Sequence, residues 1–288
     1  MRTFSAADGT RLAYHVRGEG EPLAVLPGGP MRASAYLGDL GGLTAHRRLD
    51  LLDLRGTGGS AVAADPATYR CDRMVGDVEA WRAHLGLDRV DLLAHSAGAA
   101  LAMLYAARHP HRIRRLLLIT PNPSALGLRA TDEDRLAAAA SRAHEPWFPE
   151  AYPALRAWLA GGTDFDDRLV PFFHGHWDDT ARAHADAEPE ETNDEAAGRY
   201  FAEGAFTPAA TRTALAALTA PVLVYAGEVD GGPRPSLARR AAEAFPNAEV
   251  AVQPGAAHYP WLDDPAEFRK RITGFLDRPV VPDRPSAT

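Results

Sequence analysis

Short apolar runs alternate with helical stretches through the first third of the chain. The runs Leu23–Leu26, Leu49–Leu52, Val90–Ala94 and Ile113–Ile119 are largely continuous in their hydrophobicity. A continuous apolar run of this length is typical of a strand that is buried on both faces. The polar–apolar alternation of Arg11–Val16 instead predicts a hairpin strand. The whole pattern indicates an α/β fold with a mostly parallel sheet covered by helices on both sides.

Helical periodicity fills the segments between the apolar runs. Apolar residues recur at helical spacing over Cys71–Leu85, and Gly86 provides a C-terminal stop. Ala97–His109 begins with small apolar residues and predicts a second helix. Pro235–Phe245 and Pro265–Leu276 predict two more helices near the C-terminal end.

The pattern divides the chain into three segments. Residues 1–120 and 221–288 carry the alternation of strands and helices, whereas residues 121–220 contain helical segments and no convincing strand pattern. We therefore expect a core in two parts, with an inserted helical cap at 121–220. Within the cap, the acidic run Glu188–Glu195 predicts a solvated loop or a helix start. The Pro-rich end of the chain, Arg278–Thr288, predicts a loose tail.

Composition narrows the class of protein and its partners. Of 288 residues, 46% are hydrophobic, which is enough to bury a sizeable core. The 31 Lys and Arg residues against 38 Asp and Glu residues give a net charge of −7, which argues against nucleic-acid binding. Cys71 is the only cysteine, so no intrachain disulfide forms, and we expect a packing or surface thiol.

Neither a membrane segment nor a metal motif is evident in the sequence. No run of about 18 apolar residues occurs, and the N-terminal residues lack the apolar core of a signal peptide. We therefore expect a cytoplasmic protein that does not bind a membrane. Paired Cys-x-x-Cys and His-Glu-x-x-His motifs are absent, so neither a metal nor a cofactor is expected. The expected partner is a small molecule or a short peptide, and the oligomeric state is left open.

The segment Ala94-His95-Ser96-Ala97-Gly98 places a serine between an apolar strand and a helix of small residues. A sharp strand-to-helix turn lifts a serine hydroxyl above the sheet, and small neighbours allow the backbone segments to approach. The amides at the N-terminus of the helix favour developing negative charge. A Ser-x-Gly match alone also fits a helix N-cap. In this context the pattern predicts a nucleophile.

An acid and a histidine follow the serine, each after a later strand pattern. Asp230 lies in a Gly-rich loop, and His258 lies on a loop of small residues. This chain order, serine then acid then histidine, is typical of one class of α/β hydrolytic enzymes. We therefore predict Ser96 as nucleophile, His258 as general base and Asp230 as the acid that orients it. Glu228 is a rival for the acid. Other residues are expected in structural roles: Asp263 and Asp264 as caps of the final helix, and His174, His176 and His184 in surface or packing positions.

Two loops rich in glycine support this site. Pro27-Gly28-Gly29-Pro30 follows a strand, and its glycines allow a substrate oxygen to approach the backbone. We assign the oxyanion donors to the amides of Gly29 and Ala97, each of which typically contributes about 3 kcal/mol to transition-state stabilisation. In the second loop, Asp53 and Arg55 are expected to brace the site. The predicted substrate contacts are Gly28, His95, Trp147, Phe172, Trp177 and Tyr259. The alternative is a structural role for His95 and packing of the cap against the core for the three aromatic residues of the cap.

The sequence resembles the α/β-hydrolase superfamily over nearly its whole length, and most of all the branch of proline iminopeptidases and related capped hydrolases. The family motif His-Gly-Gly-Pro-Gly corresponds to residues 27–31, and Asp-x-Arg-Gly-x-Gly-x-Ser is met in full by residues 53–60. The resemblance implies an eight-stranded, mostly parallel sheet with an inserted helical cap. It also implies cleavage of an ester or amide bond through a Ser-His-Asp acyl-enzyme mechanism, without a cofactor.

The departures from the family pattern concern the substrate. Pro27 replaces the family's histidine, Met31 replaces its last glycine, and the Gly-Gly-Ser-Trp-Gly form common in iminopeptidases is absent. Iminopeptidases resemble one another in using cap glutamates to hold the free amine of the substrate. Glu191, Glu195 and Glu203 lie in the corresponding region. Two alternatives stay open: cleavage of a specialised metabolite at a lactone or carbon–carbon bond, and small-molecule binding without turnover.

Overall fold

Eight strands form one sheet in the computed structural model, which describes residues 1–162 and 166–279. The strands are β1 (Arg2–Ser5), β2 (Arg11–Arg17), β3 (Pro22–Leu26), β4 (Arg48–Asp53), β5 (Val90–His95), β6 (Ile113–Ile119), β7 (Val222–Gly227) and β8 (Ala248–Gln253). Their order across the sheet is β1-β2-β4-β3-β5-β6-β7-β8. β2 pairs antiparallel with β1 and β4, and the remaining neighbours pair in parallel. The predicted sheet is confirmed, with β1 as an edge strand that we did not predict.

Helices cover both faces of this sheet. They are α1 (Val75–His84), α2 (Ala97–Arg108), α3 (Asp132–Ala140), α4 (Phe148–Leu159), α5 (Asp179–Asp186), α6 (Glu188–Glu191), α7 (Asp194–Tyr200), α8 (Pro208–Leu215), α9 (Pro235–Ala242), α10 (Pro260–Asp263) and α11 (Pro265–Leu276). Successive residues of a strand point to opposite faces. On β5, Leu92 therefore packs in the cluster with α1 and α2, and Leu93 packs in the cluster with α11. Burial on both faces explains why the central strands are continuously apolar.

The first predicted helix begins later than its apolar spacing indicates. Cys71–Arg73 forms a short 3₁₀ turn, and the α-helix starts at Val75. The Cys71 side chain is buried, and burial raises the pKa of its thiol to about 12. The thiol is therefore protonated near neutral pH and serves as a packing group.

The long segment between β6 and β7 carries six helices within its described residues, α3 to α8. Residues of α3 to α7 line cavities at the ends of the strands, whereas α8 packs against α2 in the helical layer of the sheet. The proposed cap at 121–220 thus includes one helix that packs with the core, and its exact limits stay a prediction. The predicted tail lies outside the described residues from position 280 onward.

Candidate active site

Ser96 follows β5 directly and occupies a backbone conformation that is unusual for a residue with a side chain. Its φ and ψ angles are 51° and −118°, and such strained conformations are typical of functional sites. The turn is tight, because a Cβ atom at Gly98 would lie 2.3 Å from the carbonyl oxygen of Pro27. Glycine at 98 lets α2 begin immediately after the serine. The hydroxyl is thereby presented at the carboxyl edge of the sheet, where ligands of α/β proteins usually bind.

The structure brings together the three residues predicted from their chain order. The Ser96 Oγ lies 2.8 Å from His258 Nε2, and His258 Nδ1 lies 2.8 Å from Asp230 Oδ2. Their exposed fractions are only 8%, 8% and 2% respectively. A carboxylate at Nδ1 keeps a proton on that nitrogen, which leaves Nε2 as an acceptor for the serine proton. This arrangement can therefore activate a hydroxyl group.

The rival acid lies elsewhere. Glu228 is exposed, and its Oε2 accepts a hydrogen bond of 2.9 Å from the Gly255 amide. It braces the surface of the loop after β8 and makes no hydrogen bond to His258. Asp230 alone among the described carboxylates bonds to the imidazole.

Of the two residues predicted to cap the final helix, Asp264 does so and Asp263 does not. The carboxylate of Asp264 caps α11 as expected, because it accepts hydrogen bonds from the first amides of that helix. The prediction for Asp263 was wrong. Its Oδ2 accepts from the Ala257 amide and its Oδ1 from the Gly175 amide, both at 2.8 Å. It therefore ties the loop that carries His258 to the segment between β6 and β7.

The loop after β3 comes close to the serine. A Cβ atom at Gly28 would lie 2.9 Å from both the His95 carbonyl oxygen and the Ser96 Cβ, so only glycine permits this approach. The Gly28 amide is already engaged, since it donates to the Tyr36 hydroxyl at 2.6 Å. The amides of Gly29 and Ala97, by contrast, donate to no acceptor among the described residues. These two amides are available to an oxygen atom near the serine.

His95 has a structural connection that its sequence position did not reveal. Its Nδ1 lies 2.7 Å from the Tyr36 hydroxyl, and its Nε2 lies 3.0 Å from the carbonyl oxygen of His258. A carbonyl only accepts, so Nε2 carries the proton and Nδ1 accepts from the tyrosine. Burial lowers the pKa of His95 well below its usual value, so the ring is neutral. Tyr36 and His95 thus link the Gly28 amide to the loop of His258.

Asp53 and Arg55 brace the surrounding loops, as their position after β4 predicted. The Oδ1 of Asp53 accepts from the amide and hydroxyl of Ser34 at 2.9 and 2.6 Å. Arg55 is buried and forms an ion pair with Asp77. A buried pair of this kind is costly to break, because the remaining partner would be an unpaired charge.

A cavity of about 440 Å³ opens above Ser96. The predicted residues that line it are Gly29, His95, Ser96, His258 and Tyr259. Its outer wall comes from the segment between β6 and β7 and combines charged side chains with apolar ones. Three carboxylate residues, Asp167, Glu188 and Asp194, lie there together with the core residue Arg32. His174, which we expected in a surface or packing position, also lines the cavity and is buried.

The aromatic residues predicted to contact substrate lie mostly outside this cavity. Trp147 packs edge-on against Phe172 with 4.8 Å between the ring centroids. Trp177 packs against the ring of His174 with 5.4 Å between the centroids. Both tryptophan rings therefore contact other side chains of the segment between β6 and β7. Phe172 lines a neighbouring cavity instead, and Gly28 does not line the cavity above Ser96. The walls of the Ser96 cavity are therefore more polar than the sequence suggested.

Arg32 connects the loop after β3 to the acidic run. Its side chain is only 1% exposed, and it donates to Glu191 at 2.7 Å, to Glu188 at 3.1 Å and to the His184 carbonyl oxygen at 2.8 Å. The acidic run contains the starts of α6 and α7, which agrees with the predicted helix start, but two of its glutamates also bind a buried cation, which the sequence did not indicate. Glu195 is exposed and pairs with Arg199.

No group of three or more His, Cys, Asp or Glu side chains in residues 1–162 and 166–279 has an arrangement that could hold a metal ion. In the same part of the chain, no helix combines the length and the apolar character needed to cross a bilayer.

Known proteins resemble this chain in sequence and in fold. A proline iminopeptidase from Levilactobacillus brevis is 26% identical over 92% of this chain and 91% of its own length. A pimeloyl-[acyl-carrier protein] methyl ester esterase from Yersinia enterocolitica is 24% identical over 93% of this chain and 98% of its own length. Among solved structures, an esterase from Exiguobacterium antarcticum superposes with a TM-score of 0.72 at 18% identity, covering 96% of this chain and 99% of the esterase.

The family model described as "alpha/beta hydrolase fold" matches residues 21–265, which include most of the sheet and all the site residues described above. Because this match spans far more than half of the sequence, the chain belongs to the α/β-hydrolase fold family.

Proposed function

We propose that the protein is a serine hydrolase that cleaves an ester or amide bond through an acyl-enzyme. The observation that carries the proposal is the pair of 2.8 Å contacts joining Ser96 Oγ to His258 Nε2 and His258 Nδ1 to Asp230 Oδ2. His258 takes the Ser96 proton as the serine oxygen bonds to the substrate carbonyl carbon. The resulting oxyanion accepts hydrogen bonds from the Gly29 and Ala97 amides, which have no other described acceptor.

The remaining steps use the same residues, with His258 first donating a proton and then accepting one from water. His258 gives its proton to the leaving oxygen or nitrogen, and the carbon–heteroatom bond breaks to leave Ser96 acylated. A water molecule then loses a proton to His258 as it attacks the acyl carbon. The proton returns to Ser96 as the acid product leaves. General acid–base assistance of this kind typically contributes roughly 10²–10⁴-fold to the rate.

The charge on the cavity wall favours an acyl group that carries an amine. Asp167, Glu188 and Asp194 supply carboxylates, and Arg32 is the cation among them. The Arg32 guanidinium is already hydrogen-bonded to Glu188 and Glu191. Burial lowers the pKa of His174 to about 4, so this ring adds no positive charge at neutral pH. The name of the iminopeptidase relative agrees with a substrate of this kind.

A comparison of free and blocked amines tests this substrate class. We expect alanine and proline nitroanilides to be hydrolysed with kcat/KM at least roughly tenfold above their N-acetyl derivatives, because acetylation removes the positive charge. The Glu188→Gln variant is expected to raise KM for the free amines roughly two- to fivefold with kcat nearly unchanged, since the Glu188 carboxylate is half exposed. Initial-rate kinetics measure both effects.

Glu195→Gln is the matched control. Glu195 is an exposed carboxylate on α7 that pairs with Arg199 and does not line the cavity. This variant is expected to leave KM unchanged for both classes of nitroanilide. Equal kcat/KM for the free and the N-acetylated nitroanilides would contradict recognition of the amine. Equal effects of Glu188→Gln and Glu195→Gln on KM would contradict it as well, and the proposal would then be restricted to hydrolysis without amine recognition.

A further inference from the structure

A second cavity of about 210 Å³ lies beside the Ser96 cavity, and its walls are largely apolar. Helices α3 and α4 and the 3₁₀ turn Asp167–Phe173 form its outer side. The loop after β7, Val229 to Gly232, forms its inner side. The apolar lining side chains include those of Ala138, Ala139, Leu155, Trp158, Leu169 and Phe172.

The second cavity adjoins the catalytic groups. Asp230, the partner of His258, lies in its wall. Phe173 lines both cavities, and its ring packs edge-on against the His258 imidazole with 6.0 Å between ring centroids. The Phe173 carbonyl oxygen also accepts a hydrogen bond of 3.0 Å from the His258 amide. One aromatic side chain therefore lies between the polar space above Ser96 and the apolar space beside Asp230.

The chemistry of acyl transfer decides which part of a substrate faces this second cavity. His258 must deliver its proton to the leaving atom, so the leaving group lies against the imidazole. The carbonyl oxygen lies toward the Gly29 and Ala97 amides, and the polar wall with Glu188 remains for the acyl group. The apolar space on the His258 and Asp230 side is thus the one adjacent to the leaving group.

We propose, building on the proposed function, that this cavity binds the apolar side group of the leaving alcohol or amine. Its size suits such a group, since an apolar cavity of about 150 Å³ is large enough to hold benzene. The substrate class is then an ester or amide with a polar, amine-bearing acyl part and an apolar leaving part of roughly the size of a hexyl or phenyl group. Apolar burial would make each added methylene of the leaving group favourable.

A series of alanine esters that differ only in the alcohol tests the proposal. For the methyl, ethyl, butyl and hexyl esters, wild-type kcat/KM is expected to rise roughly two- to fourfold per methylene. In Ala138→Leu, which fills the cavity from α3, this rise is lost, so that kcat/KM no longer increases from the methyl to the hexyl ester. The Leu155→Ala variant enlarges the same cavity, so its kcat/KM is expected to be higher for the 2-phenylethyl ester than for the hexyl ester.

Ala137→Leu is the control for the filling variant. Ala137 is the preceding residue on α3 and is exposed, so the same change adds no atoms to the cavity. Melting curves establish that each variant is folded before its kinetics are compared. The proposal is overturned if folded Ala138→Leu and Ala137→Leu both keep the wild-type dependence on alcohol length. Absence of any Ser96-dependent turnover of the methyl ester would instead overturn the proposed function and the leaving-group assignment with it.

Discussion

Replacing Ser96 by alanine is expected to lower kcat by roughly 10⁶-fold, to within about 10³–10⁴-fold of the rate without enzyme. Without the serine oxygen no acyl-enzyme forms, although the two free amides and the cavity remain. The change removes one atom from a residue that is 8% exposed, so the fold is expected to persist. Initial rates of wild type and variant on nitrophenyl esters and amino-acid nitroanilides measure the loss.

Ser124→Ala is a suitable control for this substitution. Ser124 lies in a short turn after β6 and does not line the cavity above Ser96. Its loss is expected to leave kcat within a factor of about two of wild type. A Ser96→Ala enzyme that keeps more than about a tenth of wild-type kcat would exclude Ser96 as the nucleophile.

The second large effect is expected at Asp230. Asp230→Asn should lower kcat by roughly 10⁴-fold, because an amide no longer selects the histidine tautomer that leaves Nε2 free to accept a proton. KM is expected to change little, since asparagine has nearly the same size as aspartate and position 230 does not line the Ser96 cavity. A full kinetic comparison at saturating substrate separates kcat from KM.

Glu228→Gln is the control for Asp230→Asn and also tests the rival acid. Glu228 lies two residues earlier in the same loop, is exposed, and bonds to the Gly255 amide through one oxygen. The Glu228→Gln variant is expected to keep kcat within about twofold of wild type. If Glu228→Gln reduced kcat more than Asp230→Asn, the acid would have to be reassigned.

The sheet and the positions of the three site residues could be predicted because their signals are local. A parallel strand buried on both faces is largely apolar, as β5 is, and the segment that follows each strand carries the site residue within five positions of the strand's end. β1 was missed because Arg2–Ser5 is a short edge strand in which only Phe4 is buried. A pattern of one apolar residue in four carries no periodicity.

Other features could not be predicted because they join residues that are distant in the chain. Arg32 meets Glu191 across 159 residues, and His95 meets the carbonyl of His258 across 163 residues. Asp263 looked like a helix cap from its neighbours, but its partners include Gly175, 88 residues earlier. Hydrogen bonds of this kind depend on how segments that are distant in the chain pack against one another, which no local pattern encodes.

The contacts of the aromatic residues between β6 and β7 could not be predicted from the local sequence either. Trp147, Phe172 and Trp177 were chosen as substrate contacts because large apolar side chains are frequent in binding cavities. Two of them pack against residues of the same segment and lie outside both cavities described here. The cavity above Ser96 is instead bordered by Arg32 and Glu188, whose charges gave no sign of their location in the sequence.

Covalent labelling tests the nucleophilic role of Ser96 most directly. An alkyl phosphonofluoridate reacts with an activated serine: the Oγ–phosphorus bond forms, fluoride leaves and His258 accepts the proton. Intact-mass spectrometry with peptide mapping is expected to find one adduct per chain, located on Ser96 and absent from Ser96→Ala. An adduct on another residue, or continued turnover by an enzyme that takes no label at Ser96, would contradict the account.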